Sequence, residues 1–279
     1  MFILFMISGT NGIPKIRRSF NGLPFRPLAP AAPIPYNKEN TITPAAPAAE
    51  EAPMLKTVLI DIDNTLLDFD RCAEASIRQG LAELGIPWPE GMFPVFRRVN
   101  DTLWREIEKG NLTRPGLRAI RWPWIFDRFG IDADGEAFED RFVQLLWDSH
   151  EPVDGAEEVL RHLSARYAVY AASNAPAGEQ ENRLRLAGFD RYFQGLFVSQ
   201  EMGGAPKPSR EFFDACFQRL GNPPREEVLL IGDSLTADIQ GAAAYGLPCC
   251  WFDHDGTGAP VPPGAEHAAR KLTDLLQWY

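Results

Sequence analysis

The chain has 279 residues, enough for one large domain or two small ones. Its apolar fraction of 45% and charged fraction of 24% are ordinary for a soluble globular protein, and no apolar stretch is long enough to cross a bilayer. The formal net charge of −10 argues against a surface built for a nucleic-acid polymer or an anionic membrane, but not against a small anionic substrate. Composition leaves the oligomeric state open.

Residues 1–53 differ in composition from the rest, because they hold nine of the 24 prolines and several alanine-rich runs. No helical or strand period is visible there, so we expect a disordered extension. The first seven residues are apolar but no basic residue precedes them, which disfavours a signal peptide. The four cysteines show no metal-binding spacing, so a reduced, cytoplasmic protein is the expectation.

From Leu55 onward, apolar strand patterns alternate with helical patterns, which predicts βαβ crossovers and a parallel sheet. The predicted strands are 55–62, 167–173, 196–199, 228–232 and 248–252, and the clearest helical patterns between them are 155–164 and 210–220. The expected fold is α/β, with a Rossmann-like parallel-sheet core formed by residues 54–69 and 151–279.

Residues 70–150 break this alternation with a run of amphipathic helical patterns, predicted at 71–84, 91–109, 114–129 and 135–148. The block follows the first strand directly. We therefore expect a small helical cap over the edge of the sheet at which the strands end.

Two aspartates, Asp61 and Asp63, end the first buried strand, although an unpaired buried charge is costly. Three further polar pieces lie at strand ends or in adjacent loops: Ser173-Asn174, Lys207, and Asp233 with Asp238. Each alone is an ordinary capping turn or solvated loop. In open α/β sheets, however, ligands bind beyond the carboxyl ends of the strands, so the four pieces together predict one site.

Carboxylates from two strand ends form a hard oxygen site that suits Mg²⁺ better than zinc. Lys207 and the Ser173 hydroxyl would hold phosphate oxygens together with backbone N–H groups at a helix start. A carboxylate can attack phosphorus to form an aspartyl-phosphate, while a second carboxyl protonates the leaving oxygen and later activates water. The predicted partner is therefore a small phosphomonoester.

These residues resemble the haloacid dehalogenase-like superfamily of aspartate-nucleophile phosphatases, over roughly Leu55 to Phe252. The elements Asp-x-Asp-x-Thr, Ser-Asn, Lys and Gly-Asp-Ser-x-x-x-x-Asp all match in order. The resemblance implies that Asp61 is the nucleophile, Asp63 the general acid and base, and that Ser173, Asn174 and Lys207 bind phosphate. It also implies that Mg²⁺ is held by the Asp61 carboxylate, the Asp63 backbone carbonyl and Asp233. Asp238 would orient Lys207 or reach the metal through water.

Within the superfamily, residues 99–104 and 110–113 resemble the cap of pyrimidine 5′-nucleotidases. Asn100 and Trp104 lie at i and i+4 on one predicted helix face, so we expect them to face the cleft and read the base. A phosphatase for a sugar phosphate or a phosphoglycolate-type metabolite is the alternative. A catalytically idle binding module on the same fold is a third reading, which the intact acidic and lysine set disfavours.

Two other members of the superfamily fit less well. Haloacid dehalogenases lack a carboxylate two residues after the nucleophile, whereas Asp63 is present here. Phosphonoacetaldehyde hydrolases need a Schiff-base lysine in the cap, and Lys109, the one lysine in that block, lies in a polar segment typical of a helix end. Phosphate-ester hydrolysis is therefore the favoured chemistry.

Overall fold

The computed structural model describes residues 54–279, so the predictions for residues 1–53 lie outside the described part of the chain. Its centre is a six-stranded parallel sheet in the order β3-β2-β1-β4-β5-β6. The strands are β1 (Thr57–Ile60), β2 (Ala168–Ser173), β3 (Gly195–Val198), β4 (Val228–Gly232), β5 (Cys249–Phe252) and β6 (His267–Ala269). The predicted α/β fold with a parallel sheet is confirmed.

The strand order reverses between β1 and β4, which is the place where such sheets bind ligands. In the pairing register, Ile60 of β1 lies beside Ala171 of β2 and Ile231 of β4. The residues that follow these three strands are therefore brought to one edge of the sheet.

Two apolar layers cover the sheet, because successive side chains of a strand point to opposite faces. Val58 and Ile60 belong to one buried cluster, with helix residues such as Leu160. Leu59 belongs to the other, with helix residues such as Phe213. The covering helices are α5 (Ala156–Ser164), α6 (Ala177–Leu186), α7 (Arg210–Arg219) and α8 (Gly241–Tyr245), with a π-helical segment at Leu235–Gln240 before α8.

Four helices lie between β1 and β2: α1 (Phe69–Glu83), α2 (Met92–Glu108), α3 (Arg114–Phe129) and α4 (Gly135–Trp147). We refer to them as the helical insert. They have their own apolar cluster, in which Trp122 packs edge-on against Phe138 with ring centroids 4.5 Å apart. Aromatic pairs of this geometry stabilise the fold beyond what the burial of their surface area contributes. The insert thus packs around a separate aromatic core.

The observed elements follow the predicted ones closely, and β6 is the strand that the sequence reading missed. It has three residues, His267-Ala268-Ala269, too few for a period-2 pattern to be recognised. All four cysteines are free and buried, as expected for residues that pack rather than react. Within residues 54–279, no helix has the length and apolar character needed to cross a membrane.

Candidate active site

The turn after β1 presents Asp61 and Asp63 at the edge of the sheet. The Asp61 N–H still donates to the Ile231 carbonyl at 2.9 Å, so Asp61 continues the ladder with β4. Asn64 then adopts a left-handed conformation with φ of 58°, which asparagine tolerates better than most residues. Its N–H donates to the Leu67 carbonyl at 2.7 Å, which closes the turn. The chain therefore reverses immediately after the two carboxylates.

Lys207 lies at the centre of the site and is almost fully buried. Its Nζ donates to Asp61 Oδ1 at 2.7 Å, to Asp238 Oδ1 at 2.6 Å and to the Ala172 carbonyl at 2.7 Å. An ammonium group has three donors, so all of them are committed. Any contact between Lys207 Nζ and a phosphate oxygen would therefore replace one of these bonds.

Carboxylates outnumber the single cation at Lys207, and the pKa values of two of them, Asp61 and Asp233, are raised. Burial is the main cause that raises the pKa of Asp61, to about 7, with the Lys207 charge opposing it and the Asp238 charge adding to it. Desolvation, followed by the charges of Asp61 and Asp238, raises the pKa of Asp233 well above its ordinary value. Burial alone would lower the pKa of Lys207, but its two carboxylate partners raise it, so the lysine stays charged.

The end of β4 brings Asp233 and Asp238 beside Asp61. Carboxylate oxygens of the three residues lie within 4.8 Å of one another. A Cβ at Gly232 would lie 2.2 Å from Asp238 Oδ2, so only glycine lets that carboxylate pack over the strand end. The Ser234 N–H donates to Asp238 Oδ2 at 3.1 Å, which fixes the same carboxylate from the other side.

Ser173, the last residue of β2, and Asn174, which follows it, make different contacts. The Ser173 hydroxyl oxygen accepts the Ala175 N–H at 3.1 Å. The Asn174 side chain instead holds the Lys207 backbone: its Oδ1 accepts the Lys207 N–H at 2.8 Å, and its Nδ2 donates to the Lys207 carbonyl at 3.0 Å. A phosphate contact from Asn174 would therefore come from its backbone, whereas its side chain positions the lysine loop.

Asp63 is held by helix α6. Arg183 Nη1 donates to Asp63 Oδ1 at 2.5 Å, and Gln180 Nε2 donates to Asp63 Oδ2 at 2.5 Å. Gln180 and Arg183 are fully buried, whereas the Asp63 side chain is 28% exposed. The neighbouring Glu179 is also buried, and its pKa is raised to about 7 by that burial and by the nearby Asp63 charge.

A cavity of about 640 Å³ joins these groups to the helical insert. All nine predicted site residues line it: Asp61, Asp63, Asn100, Trp104, Ser173, Asn174, Lys207, Asp233 and Asp238. Asn100 is buried, and its Oδ1 accepts from Arg121 Nη1 at 2.8 Å. Arg121 in turn forms two hydrogen bonds with the Glu139 carboxylate, at 2.6 and 3.0 Å. The Asn100 amide oxygen is thus already used, and its NH₂ group is the part that can meet a ligand.

Side chains of the insert bridge to the core around this cavity. Glu108 Oε2 accepts from Thr236 Oγ1 at 2.9 Å. Arg114 Nη2 donates to Ser199 Oγ at 2.8 Å and also to the Asn174 carbonyl. Arg97 pairs with Asp70 at 3.0 Å and with Asp255 in the loop after β5. Contacts between the insert and the loops at the sheet edge therefore border the cavity on two sides.

The buried polar residues that support the site were not predicted from the sequence. They are Arg121, Glu139, Glu179, Gln180 and Arg183. They carry no strand-end signal, since they lie inside helices. A buried polar residue on a helix face is the one cue that could have found them, and it requires knowing which face is buried.

A second acidic group, Asp70 with His254 and Asp255, already has Arg97 as its counter-ion.

The haloacid dehalogenase-like hydrolase family matches residues 55–246. HAD-hydrolase YfnB of Bacillus subtilis is 34% identical over 72% of this chain and 85% of its own length. A crystal structure of YfnB bound to magnesium, described as revealing interdomain movement, superposes with a TM-score of 0.75 at 32% identity, covering 81% of this chain and 98% of that one.

Two further relatives carry names that describe an activity. Pyrimidine 5′-nucleotidase PynA of Streptococcus pneumoniae is 32% identical over 71% of this chain and 84% of its own length. Pyrimidine 5′-nucleotidase YjjG of Escherichia coli is 26% identical over 78% and 96%. The predicted resemblance is thereby confirmed, and the relatives are consistent with the predicted phosphoric monoester hydrolase. With its carboxylates gathered at the switch point of a matching fold, this chain belongs to the haloacid dehalogenase-like hydrolases.

Proposed function

We propose that this hydrolase is a Mg²⁺-dependent phosphatase that cleaves small phosphomonoesters through an aspartyl-phosphate on Asp61. One observation carries the proposal: Asp61, at the end of the central strand, is 2.7 Å from the buried Lys207 and opens into the cavity that Asp63 also lines. A carboxylate nucleophile beside a fixed cation, with a second carboxyl two residues away, is the arrangement that this chemistry needs.

The acidic residues fit a hard divalent cation. Asp61, Asp233 and Asp238 bring three carboxylates together against the single charge of Lys207, and their oxygens lie within 4.8 Å of one another. Burial raises the pKa values of Asp61 and Asp233, and the charge of Asp238 raises both further. Oxygen-only donors of this kind suit Mg²⁺. We propose the Asp61 carboxylate, the Asp63 carbonyl and Asp233 as its ligands, and bound Mg²⁺ would neutralise charge on the phosphate.

In the proposed reaction, a carboxylate oxygen of Asp61 attacks phosphorus and forms a new P–O bond. The ester P–O bond breaks, and the leaving oxygen takes its proton from the Asp63 carboxyl. Asp63, now a carboxylate, removes a proton from water, whose oxygen attacks the same phosphorus. That second displacement releases inorganic phosphate and restores both aspartates. The Ser173 hydroxyl and the Lys207 charge stabilise the phosphoryl oxygens during both steps.

Pyrimidine nucleoside 5′-monophosphates are the substrates we propose. Asn100 and Trp104 both line the cavity, as a base-reading face requires. The Asn100 NH₂ group can donate to a carbonyl oxygen of the base, and the half-buried Trp104 can stack on its face. The similarity to PynA and YjjG supports the same substrate class.

A phosphate-release screen tests the function. Purified protein is incubated with UMP, dUMP and dTMP, with AMP and GMP, and with a panel of sugar phosphates and phosphoglycolate. Each reaction is run with Mg²⁺ and with EDTA. We expect Mg²⁺-dependent release with the highest kcat/KM on pyrimidine nucleotides. A preference for sugar phosphates would contradict the substrate, and no hydrolysis of any phosphomonoester would contradict the phosphatase itself and favour a binding module.

A further inference from the structure

Gln180 lies in α6 with no exposed surface, yet its side chain reaches two residues of the site. Its Nε2 group donates to Asp63 Oδ2 at 2.5 Å and to Ser173 Oγ at 3.2 Å. A side-chain NH₂ group has two hydrogens, so each can serve one acceptor. One amide therefore connects the residue proposed as acid and base with the hydroxyl proposed to bind phosphate.

The orientation of this amide is determined by its surroundings. Gln180 Oε1 faces Arg183 Nη1 at 3.4 Å, while the NH₂ group faces the Asp63 carboxylate. Rotating the amide by 180° would place its oxygen against a carboxylate oxygen and its NH₂ group against a guanidinium, so both contacts would become repulsive. Arg183 is itself anchored, because its Nε donates to the Ser149 carbonyl at 3.0 Å.

The Gln180 NH₂ group also orients the Ser173 hydroxyl. Its oxygen accepts the Ala175 N–H at 3.1 Å and the Gln180 Nε2–H at 3.2 Å. A hydroxyl oxygen has two lone pairs and one proton. With both lone pairs occupied by donors, the proton of Ser173 is left to donate to a ligand in the cavity that Ser173 lines.

We propose that Gln180 is a positioning residue, whose NH₂ group holds the Asp63 carboxylate and the Ser173 hydroxyl in register for phosphoryl transfer. This inference rests on the phosphatase function proposed above. Gln180 does not line the cavity, so it acts through its two partners rather than on the substrate. Loss of the amide would misplace Asp63 most, because the bond to Asp63 is the shorter of the two.

The test compares Gln180→Met with the wild type on UMP and on p-nitrophenyl phosphate. Methionine has a similar length and stays apolar, so it fills the site and removes both hydrogen bonds. A misplacement of about 1 Å can cost about 10²-fold in rate, so we expect kcat for UMP to fall by about that factor. The aryl ester should lose less than about tenfold, because its leaving group needs little protonation. The inhibition constant of inorganic phosphate should rise for the same variant.

Two controls make the result specific. Glu181→Gln alters an exposed neighbour on α6. It should leave the ratio of kcat on UMP to kcat on p-nitrophenyl phosphate unchanged. Gln180→Glu retains an oxygen facing Arg183 but opposes Asp63 with a second oxygen, and it gives the same readout if the methionine variant does not fold. Circular dichroism and the melting temperature establish folding for each protein.

A double-mutant cycle with Asp63→Asn decides whether Gln180 acts through Asp63. If it does, Gln180→Met should not lower the substrate ratio further in the Asp63→Asn background. An unchanged ratio in the single variant, or an equal further fall in the double variant, would overturn the inference. If UMP is a poor substrate, the ratio is measured with the best alkyl phosphomonoester of the screen, so a wrong substrate class is distinguishable from a wrong role for Gln180.

Discussion

Removal of the buried cation should destabilise the protein in a way that depends on pH. Lys207→Met deletes an ammonium that lies 2.7 Å from Asp61 and 2.6 Å from Asp238, and it leaves both buried carboxylates without their counter-charge. Breaking a buried ion pair from one side costs about 3–5 kcal/mol of unfolding free energy. For a folded body of this size, about 2–4 °C of melting temperature accompany each kcal/mol, so a fall of roughly 6–20 °C is expected.

The sign of the pH dependence follows from the carboxyl groups that remain. Burial already raises the pKa of Asp61 to about 7 in the folded protein, whereas an unfolded aspartate titrates near 4. Without Lys207, the folded state of the variant binds more protons than its unfolded state across this window. Its stability therefore falls as pH rises, by about 1.4 kcal/mol per pH unit for each such group. The wild type shares this fall up to about pH 7, because its own Asp61 is also largely protonated there. The deficit of the variant relative to the wild type should therefore widen above pH 7, where the wild-type Asp61 ionises beside Lys207.

Chemical and thermal unfolding in metal-free buffer at several pH values measure this effect. Lys56→Met is the matched control, since Lys56 also pairs with a carboxylate, Glu227, at 2.7 Å, but its side chain is 61% exposed. An exposed pair contributes about 0–1 kcal/mol, so the control should melt close to the wild type. A Lys207→Met loss below about 1 kcal/mol at pH 8, or one of equal size at pH 5 and pH 8, would refute the electrostatic explanation.

Four activity predictions accompany this one. Asp61→Asn should retain the fold, checked by circular dichroism, but lose all except trace phosphate release, and substantial Mg²⁺-dependent turnover would remove Asp61 as the nucleophile. Asp63→Asn should reduce kcat for UMP by about 10²–10⁴-fold while sparing p-nitrophenyl phosphate, and equal losses would argue against an acid role. Trp104→Ala should raise KM for UMP by roughly 5- to 150-fold, the equivalent of about 1–3 kcal/mol of stacking, with little change on p-nitrophenyl phosphate. Asn100→Ala should also raise KM for UMP, and it should lower the melting temperature because Arg121 Nη1 loses its acceptor at 2.8 Å. If either variant loses activity equally on UMP and on p-nitrophenyl phosphate, Asn100 and Trp104 have a structural role and do not read the base.

The sequence by itself was enough to determine the parallel α/β core and the convergence of its polar strand ends. Buried strands that alternate with helices leave few topologies, and parallel strands bring their carboxyl ends to one edge. Asp61, Ser173 and Asp233 lie at the ends of three neighbouring strands, so their meeting is a consequence of the sheet register. The helices of the insert were likewise predictable from their amphipathic period and their glycine and proline boundaries.

Only the tertiary structure decided which polar groups hold the site in place. The contact from Gln180 to Asp63 spans 117 residues, and that from Arg183 to Asp63 spans 120. No local period encodes such a bond, because it depends on how α6 packs beside the turn after β1. The structure likewise showed that the Asn174 side chain holds the lysine loop and that Arg121 donates to the side-chain oxygen of Asn100. Strand ends and helix periods are local properties of the chain, whereas the hydrogen-bond partner of a buried polar group is determined by the packing of distant segments.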